Sequence, residues 1–114
     1  MKKKILFCSE ASWYATGYSV YTKEILSRLC QIDEFEVAEL GCYAQTSDAQ
    51  GKNIPWKFYG NKPSPDSPEY KAYQGNPSAQ FGDQSFNHVL LDFKPDIVMD
   101  IRDWWMIEYQ QRSP

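Results

Sequence analysis

From Lys3 to Ser9 the chain reads Lys-Lys-Ile-Leu-Phe-Cys-Ser, a short unbroken apolar run led by charges. That pattern predicts a strand buried on both faces of a parallel sheet. From Tyr18 the larger or less polar side chains recur at Tyr18, Tyr21, Thr22, Ile25, Leu26, Leu29 and Cys30. This i, i+3, i+4, i+7 spacing predicts a helix of about four turns, with the Thr16 hydroxyl as its N-cap. Phe35 to Tyr43 alternates Phe35, Val37, Ala38 and Leu40 with acidic residues before Gly41, which predicts a second, more peripheral strand.

Gln45 to Gln80 breaks the pattern. It holds five of the seven prolines, three of the six glycines and many small polar residues, so most of it is expected to be an irregular surface insertion. Only Ile54 to Tyr59 reads as a strand within it. Connections of this length are uncommon in small domains and are either binding loops or tolerated insertions. Asp83 is placed to cap a further helix with Phe86, Val89, Leu90 and Phe93 on one side, which Pro95 ends near Phe93 or Lys94. Asp96 to Ile101 gives another central strand, and Trp104 to Tyr109 starts a last helix. Alternating strands and helices with right-handed crossovers predict an α/β three-layer sandwich with a mainly parallel sheet, strand order about 3-2-1-4, incomplete at the carboxyl terminus.

The composition of the 114 residues narrows the function. With 42% hydrophobic, 24% charged and 16% aromatic residues the chain is a globular domain, and its length suits one such unit, 1–114. Twelve basic against 15 acidic residues give −3, no electrostatic footprint for nucleic acid. Cys8, Cys30 and Cys42 are odd in number, widely spaced and lack a C-x-x-C pair, which points to a reducing compartment and no metal site. The apolar run after Met1 is shorter than the ~7–15 residues of a signal-peptide core. No stretch approaches the ~20 residues of a transmembrane span. A cytoplasmic location is therefore expected.

In an open parallel sheet, ligands gather at the carboxyl ends of the strands where strand order reverses. Two segments occupy that edge: Ser9 to Tyr18 and Arg102 to Trp105. Gly17 at a helix start admits a phosphate or sugar to the first backbone amides, or else serves a tight turn or close helix packing. Glu10, Ser12 and Thr16 offer hydrogen bonds to a hydroxylated ligand, or are simply solvated. Arg102 and Asp103 at a strand end are costly to bury unless they pair or meet a ligand. Asp103 is placed to accept a proton or a sugar hydroxyl, to form an ion pair, or to cap the next helix. Trp104 and Trp105 suit a sugar face or packing against the sheet. His88, the only histidine, lies off the apolar stripe and reads as surface, which leaves no base for a serine or cysteine nucleophile. Neither a G-x-G-x-x-G nor a P-loop motif occurs.

Thr16-Gly17-Tyr18-Ser19-Val20-Tyr21-Thr22-Lys23-Glu24-Ile25-Leu26, Lys94-Pro95-Asp96-Ile97-Val98 and Arg102-Asp103-Trp104-Trp105 together resemble the Rossmann-like amino-terminal domain of GT-B fold glycosyltransferases of the retaining family 4 type. The resemblance covers most of the chain outside the proline-rich stretch. It implies a lobe that holds a sugar or glycan acceptor, while a second lobe holds a nucleotide-sugar co-substrate, with transfer in the cleft between them and no essential metal or cofactor. By the same resemblance Gly17 approaches the donor diphosphate, Ser12, Thr16, Tyr18, Arg102 and Trp104 border the substrate, and Asp103 is the candidate catalytic residue. Arg102 stands where many relatives carry histidine. The donor-binding motifs of the second lobe are not in these 114 residues, so the expectation is a truncated lobe that does not transfer sugar alone. The competing expectation is a non-enzymatic α/β module that binds a ligand or partner through the same edge. The aromatic segment from Trp104 to Tyr109 offers a surface for self-association.

Overall fold

The computed structural model describes residues 2–14, 16–46, 54–80, 82, 85–100 and 110. Its elements are β1 (Lys3–Glu10), α1 (Gly17–Leu29), β2 (Phe35–Cys42), β3 (Lys57–Gly60), α2 (Glu69–Gly75), α3 (Pro77–Gln80), α4 (Phe86–Phe93) and β4 (Ile97–Asp100). The four strands form one all-parallel sheet in the order β3-β2-β1-β4, the α/β arrangement expected from the alternation of elements. Register runs from Lys3 opposite Phe35 to Glu10 opposite Cys42, and from Ile5 opposite Ile97 to Cys8 opposite Asp100.

The period of two along β1 and β2 divides the core between two layers. Leu6, Cys8, Ala38, Leu40 and Tyr59 face Phe86, Val89 and Phe93 of α4. Ile5, Phe7, Val37 and Trp56 face Leu26 of α1, with Ile25 and Leu29 beside it. Leu6, Phe7 and Cys8 have no accessible surface. Each large apolar side chain buried in this way contributes roughly 1.5–3 kcal/mol relative to leaving it in water, which is why β1 anchors both layers.

Helix α1 is capped as expected: the Ser19 N–H donates to Thr16 Oγ1 at 3.1 Å. Its buried line is Ser19, Thr22 and Leu26, and Tyr21 stands 64% exposed, so the apolar stripe read from the sequence is turned. Small side chains at 19 and 22 bring the first turns of α1 close to the sheet and leave the tyrosine outside. Helix α4 stops where predicted. Lys94, ahead of Pro95, takes the left-handed conformation (φ 55°) and its N–H closes on Leu90 O at 2.9 Å. Asp83, expected to cap α4, lies outside the described residues; Ser85 precedes the helix and makes no side-chain cap. His88 is exposed.

Three expectations are corrected. Strand β2 is interior, because β3 pairs on its outer side from Ala38 opposite Lys57 to Gly41 opposite Gly60. The third strand starts at Lys57, three residues later than read, because Trp56 turns into the core instead of pairing. The proline-rich region is not irregular throughout. It contains α2 and α3, the first opening after Pro68 with Glu69 in its first turn, a position where an acidic side chain suits the helix dipole. No helix among the described residues is long and apolar enough to cross a membrane.

Candidate functional site

Parallel strands direct all their carboxyl ends to one edge, and here that edge carries the β1–α1 connection. Ala11 continues from β1 with its N–H toward Cys42 O at 3.4 Å, and a turn closes from the Tyr14 N–H to Ala11 O at 3.1 Å. Trp13 packs on Phe58 with ring centroids 4.6 Å apart, and the Tyr14 hydroxyl donates to Tyr43 O at 3.0 Å. The connection is thus tied to β2 and β3 before the chain enters α1.

The strongest tie is Glu39. Its carboxylate is fully buried in β2 and accepts from the Ser12 N–H at 2.7 Å, the Ser12 hydroxyl at 2.8 Å and Trp56 Nε1 at 3.0 Å. Burial raises its pKa above the usual glutamate value, and the bonds from Trp56 and Ser12 oppose that rise. Sequence alternation read Glu39 as one of the outward acidic residues of a peripheral strand. The signal that could have found it is the tryptophan just ahead of the next strand: once β2 is interior, a carboxylate in it needs donors.

Ser12 therefore turns its hydroxyl inward to Glu39, and its residue borders a separate cavity with Trp13, Tyr14 and Val20. The other described candidates come together. Thr16, Gly17 and Tyr18 line one open cavity of about 490 Å³ with Glu10 from the end of β1 and Tyr21 from the second turn of α1. The Thr16 hydroxyl donates to the Glu10 carboxylate, and Thr16 Oγ1 lies 2.9 Å from Ser19 Oγ. One hydroxyl thus fixes the rim carboxylate and caps the helix. Replacing Thr16 by alanine should cost about 1 kcal/mol in unfolding free energy, with Thr16→Ser retaining most of it; urea denaturation of both variants measures the difference.

Gly17 is the first helical residue at this rim. Its φ is not in the left-handed region, and a Cβ built on it meets nothing within 4 Å among the described residues. Among the described residues neither a tight turn nor close packing demands a glycine there. Within the first turn the Ser19 N–H is taken by Thr16 Oγ1 and the Val20 N–H by Thr16 O, so what this helix start offers a ligand is the Gly17 amide and the positive end of the helix. The cavity accordingly offers a carboxylate acceptor, the Gly17 amide at a helix amino end and two phenol rings, a set suited to a hydroxylated ring compound.

Arg102, Asp103 and Trp104 lie outside the described residues, as do Trp105 and Tyr109 of the proposed self-association segment. The strand that leads to them is placed: Asp100 pairs beside Cys8, two residues before Glu10, and accepts from Gln110 Nε2 at 3.0 Å. Among the described residues no cluster of three His, Cys, Asp or Glu side chains is arranged to hold a metal ion. Cys8 and Cys42 are buried in the strands and Cys30 is half-buried at the end of α1. Comparison with protein-family models, with curated proteins and with solved structures returns no match to this chain.

Proposed function

We propose that this chain is the acceptor-side lobe of a GT-B type glycosyltransferase, acting with a second lobe that holds a nucleotide-sugar. The observation that carries the reading is Gly17. It starts α1 at the carboxyl edge of the central strand, in a conformation any residue adopts and with open space where a side chain would stand. A glycine that no described residue crowds, at the rim of a cavity lined by Glu10, Thr16, Tyr18 and Tyr21, is accounted for by the close approach of a ligand. The strand order 3-2-1-4 supports the same reading, since it puts the reversal of strand order between β1 and β4, beside this rim.

In this mechanism the residues of the rim bind and orient. Glu10 accepts a sugar hydroxyl, Tyr18 and Tyr21 offer ring faces to the C–H side of a pyranose, and the Gly17 amide with the positive end of α1 stabilises negative charge that develops on the departing phosphate. The test is transfer from labelled nucleotide-sugars by the protein of the full open reading frame. Turnover is expected with at least one donor. Gly17→Leu, which fills the open space, should lower it by about a hundredfold while leaving the melting temperature unchanged, because displacing bound reactants by about 1 Å has that scale of effect. Absence of both transfer and hydrolysis across a broad donor panel overturns the reading.

A further inference from the structure

The two oxygens of the buried Glu39 are shared unequally. Oε2 accepts from the Ser12 N–H at 2.7 Å, whereas Oε1 accepts from both the Ser12 hydroxyl at 2.8 Å and Trp56 Nε1 at 3.0 Å. An amide N–H and an indole N–H can only donate, and these two sit on different oxygens, so an ionised carboxylate is the form that satisfies both in full. The Ser12 hydroxyl is the one partner of the three that can also accept. The surroundings bring no charge to the group. Its neighbours in the sheet are Phe7 and Phe58. Helix α1 turns Ser19, Thr22 and Leu26 inward over this layer and leaves Lys23, Glu24 and Arg28 exposed. Lys57 and Tyr59 of β3 bond to Asp92 of α4 on the other side of the sheet, Cys8 of β1 packs in that same opposite layer, and Glu10 is held at the rim by Thr16. Burial and the bonds from Trp56 and Ser12 are what set its proton affinity.

A proton added to this group has one place to go. On Oε2 it would meet the Ser12 N–H, donor against donor. On Oε1 it can be donated to Ser12 Oγ once the serine hydroxyl reverses and accepts. The Ser12 N–H then keeps its acceptor, and the Trp56 indole is left facing a hydroxyl oxygen in place of a charged one. We propose that Glu39 is a proton-operated switch: ionised, it holds the β1–α1 connection and Trp56 together; protonated, it keeps Ser12 and releases Trp56. The two-state element is the Ser12 hydroxyl, which donates in one arrangement and accepts in the other. The output falls on Trp56, which is buried just ahead of β3 in the layer beneath α1, with Ile54 packed against that layer. Loss of the charge-assisted bond loosens this entry to β3 and leaves the connection to the Gly17 rim in place. Burial outweighs the opposing bonds, so the proton is taken up above the ordinary value of 4.5. The switch is independent of the glycosyl-transfer reading, because no ligand takes part in it.

NMR of the isotopically labelled protein as a function of pH tests it. The Glu39 carboxyl carbon reports the proton, and the Trp56 indole, assigned through its connectivity, reports the release. The two should titrate with one midpoint, above 4.5. On the acid side of that midpoint the Trp56 Nε1–H should move upfield and lose about tenfold in protection against exchange with solvent, while the Ser12 amide keeps its protection. In Glu39→Gln the indole shift should no longer follow pH over this range. An indole that stays fixed while the carboxyl carbon titrates overturns the switch, and so does release of the Ser12 amide in place of the indole. A carboxyl midpoint at or below 4.5, or an indole that keeps the same titration in Glu39→Gln, overturns it equally. The deciding shifts are read in the parent protein, so the outcome does not depend on the glutamine variant folding.

Discussion

Replacing Gly60 by alanine is expected to destabilise the protein by about 3 kcal/mol or more, the upper end of the overpacking range. Gly60 closes β3 opposite Gly41, and the chain leaving β2 passes directly over it. A Cβ at this position would stand 2.2 Å from Gln45 C and from Thr46 N and 2.6 Å from Ala44 O. All three are backbone atoms, so no rotamer change relieves the contact. The crossing is also sewn together: Gly60 N–H donates to Thr46 Oγ1 at 2.9 Å and Lys62 N–H to Ala44 O at 2.8 Å. Separating the strands to admit a methyl group breaks these bonds. Gly41→Ala meets mainly the Phe58 ring, at 2.6 and 2.8 Å, and a ring can tilt, so its cost should be smaller. Gly75→Ala, which meets nothing within 4 Å among the described residues, serves as the control. With about 4–8 °C of melting temperature per kcal/mol in a domain near this size, Gly60→Ala should melt more than about 10 °C below the parent. A drop of only a degree or two would show that the crossing yields.

Glu39 carries the second large effect. Glu39→Ala removes the acceptor of three donors and opens a hole beneath the β1–α1 connection. A loss of about 3 kcal/mol or more is expected from the unsatisfied groups and the cavity together. Glu39→Gln keeps the shape and separates charge from packing. The folded state binds the Glu39 proton more tightly than the unfolded chain does, since burial raises the pKa from 4.5. Below that value both states are protonated and the contribution is fully present. As pH rises through the raised folded value, unfolding releases the proton and the contribution is lost. The glutamine variant has nothing to titrate at this position, so the stability of the parent minus that of Glu39→Gln should fall with rising pH and then level. Denaturant titrations of both proteins across the acidic to neutral range measure it, and a difference that grows with pH would contradict the buried-carboxylate account.

The parts of this fold that could be read in the sequence are those where one local signal decides the outcome. The unbroken apolar run of β1, the cap at Thr16 and the Lys94-Pro95 stop need no tertiary context, and each lies where it was expected. Tyr21 and Glu39 were misread because their burial depends on a neighbour distant in sequence. Tyr21 is apolar enough to face inward, yet Ser19 and Thr22 let the helix seat more closely. Glu39 has the look of an outward charge until Trp56 and Ser12 bring donors to it from either side. Helices α2 and α3 were hidden by composition, since prolines at 68 and 77 mark helix starts as readily as breaks. At the rim, Thr16, Gly17 and Tyr18 were legible because one turn of chain carries them.

The place of β1 at the heart of the sheet affects how the polypeptide is made. It leaves the ribosome before β2, β3 and β4, yet its second flank is closed by Ile97–Asp100, and Lys4 and Asp96 are bonded across a gap of 92 positions. At about 5–20 residues per second, roughly 5–18 s separate the two strands in synthesis. Throughout that interval a strand whose Leu6, Phe7 and Cys8 end fully buried has one edge open to a passing neighbour, and a chaperone that shields the nascent chain at this strand would have its main task there.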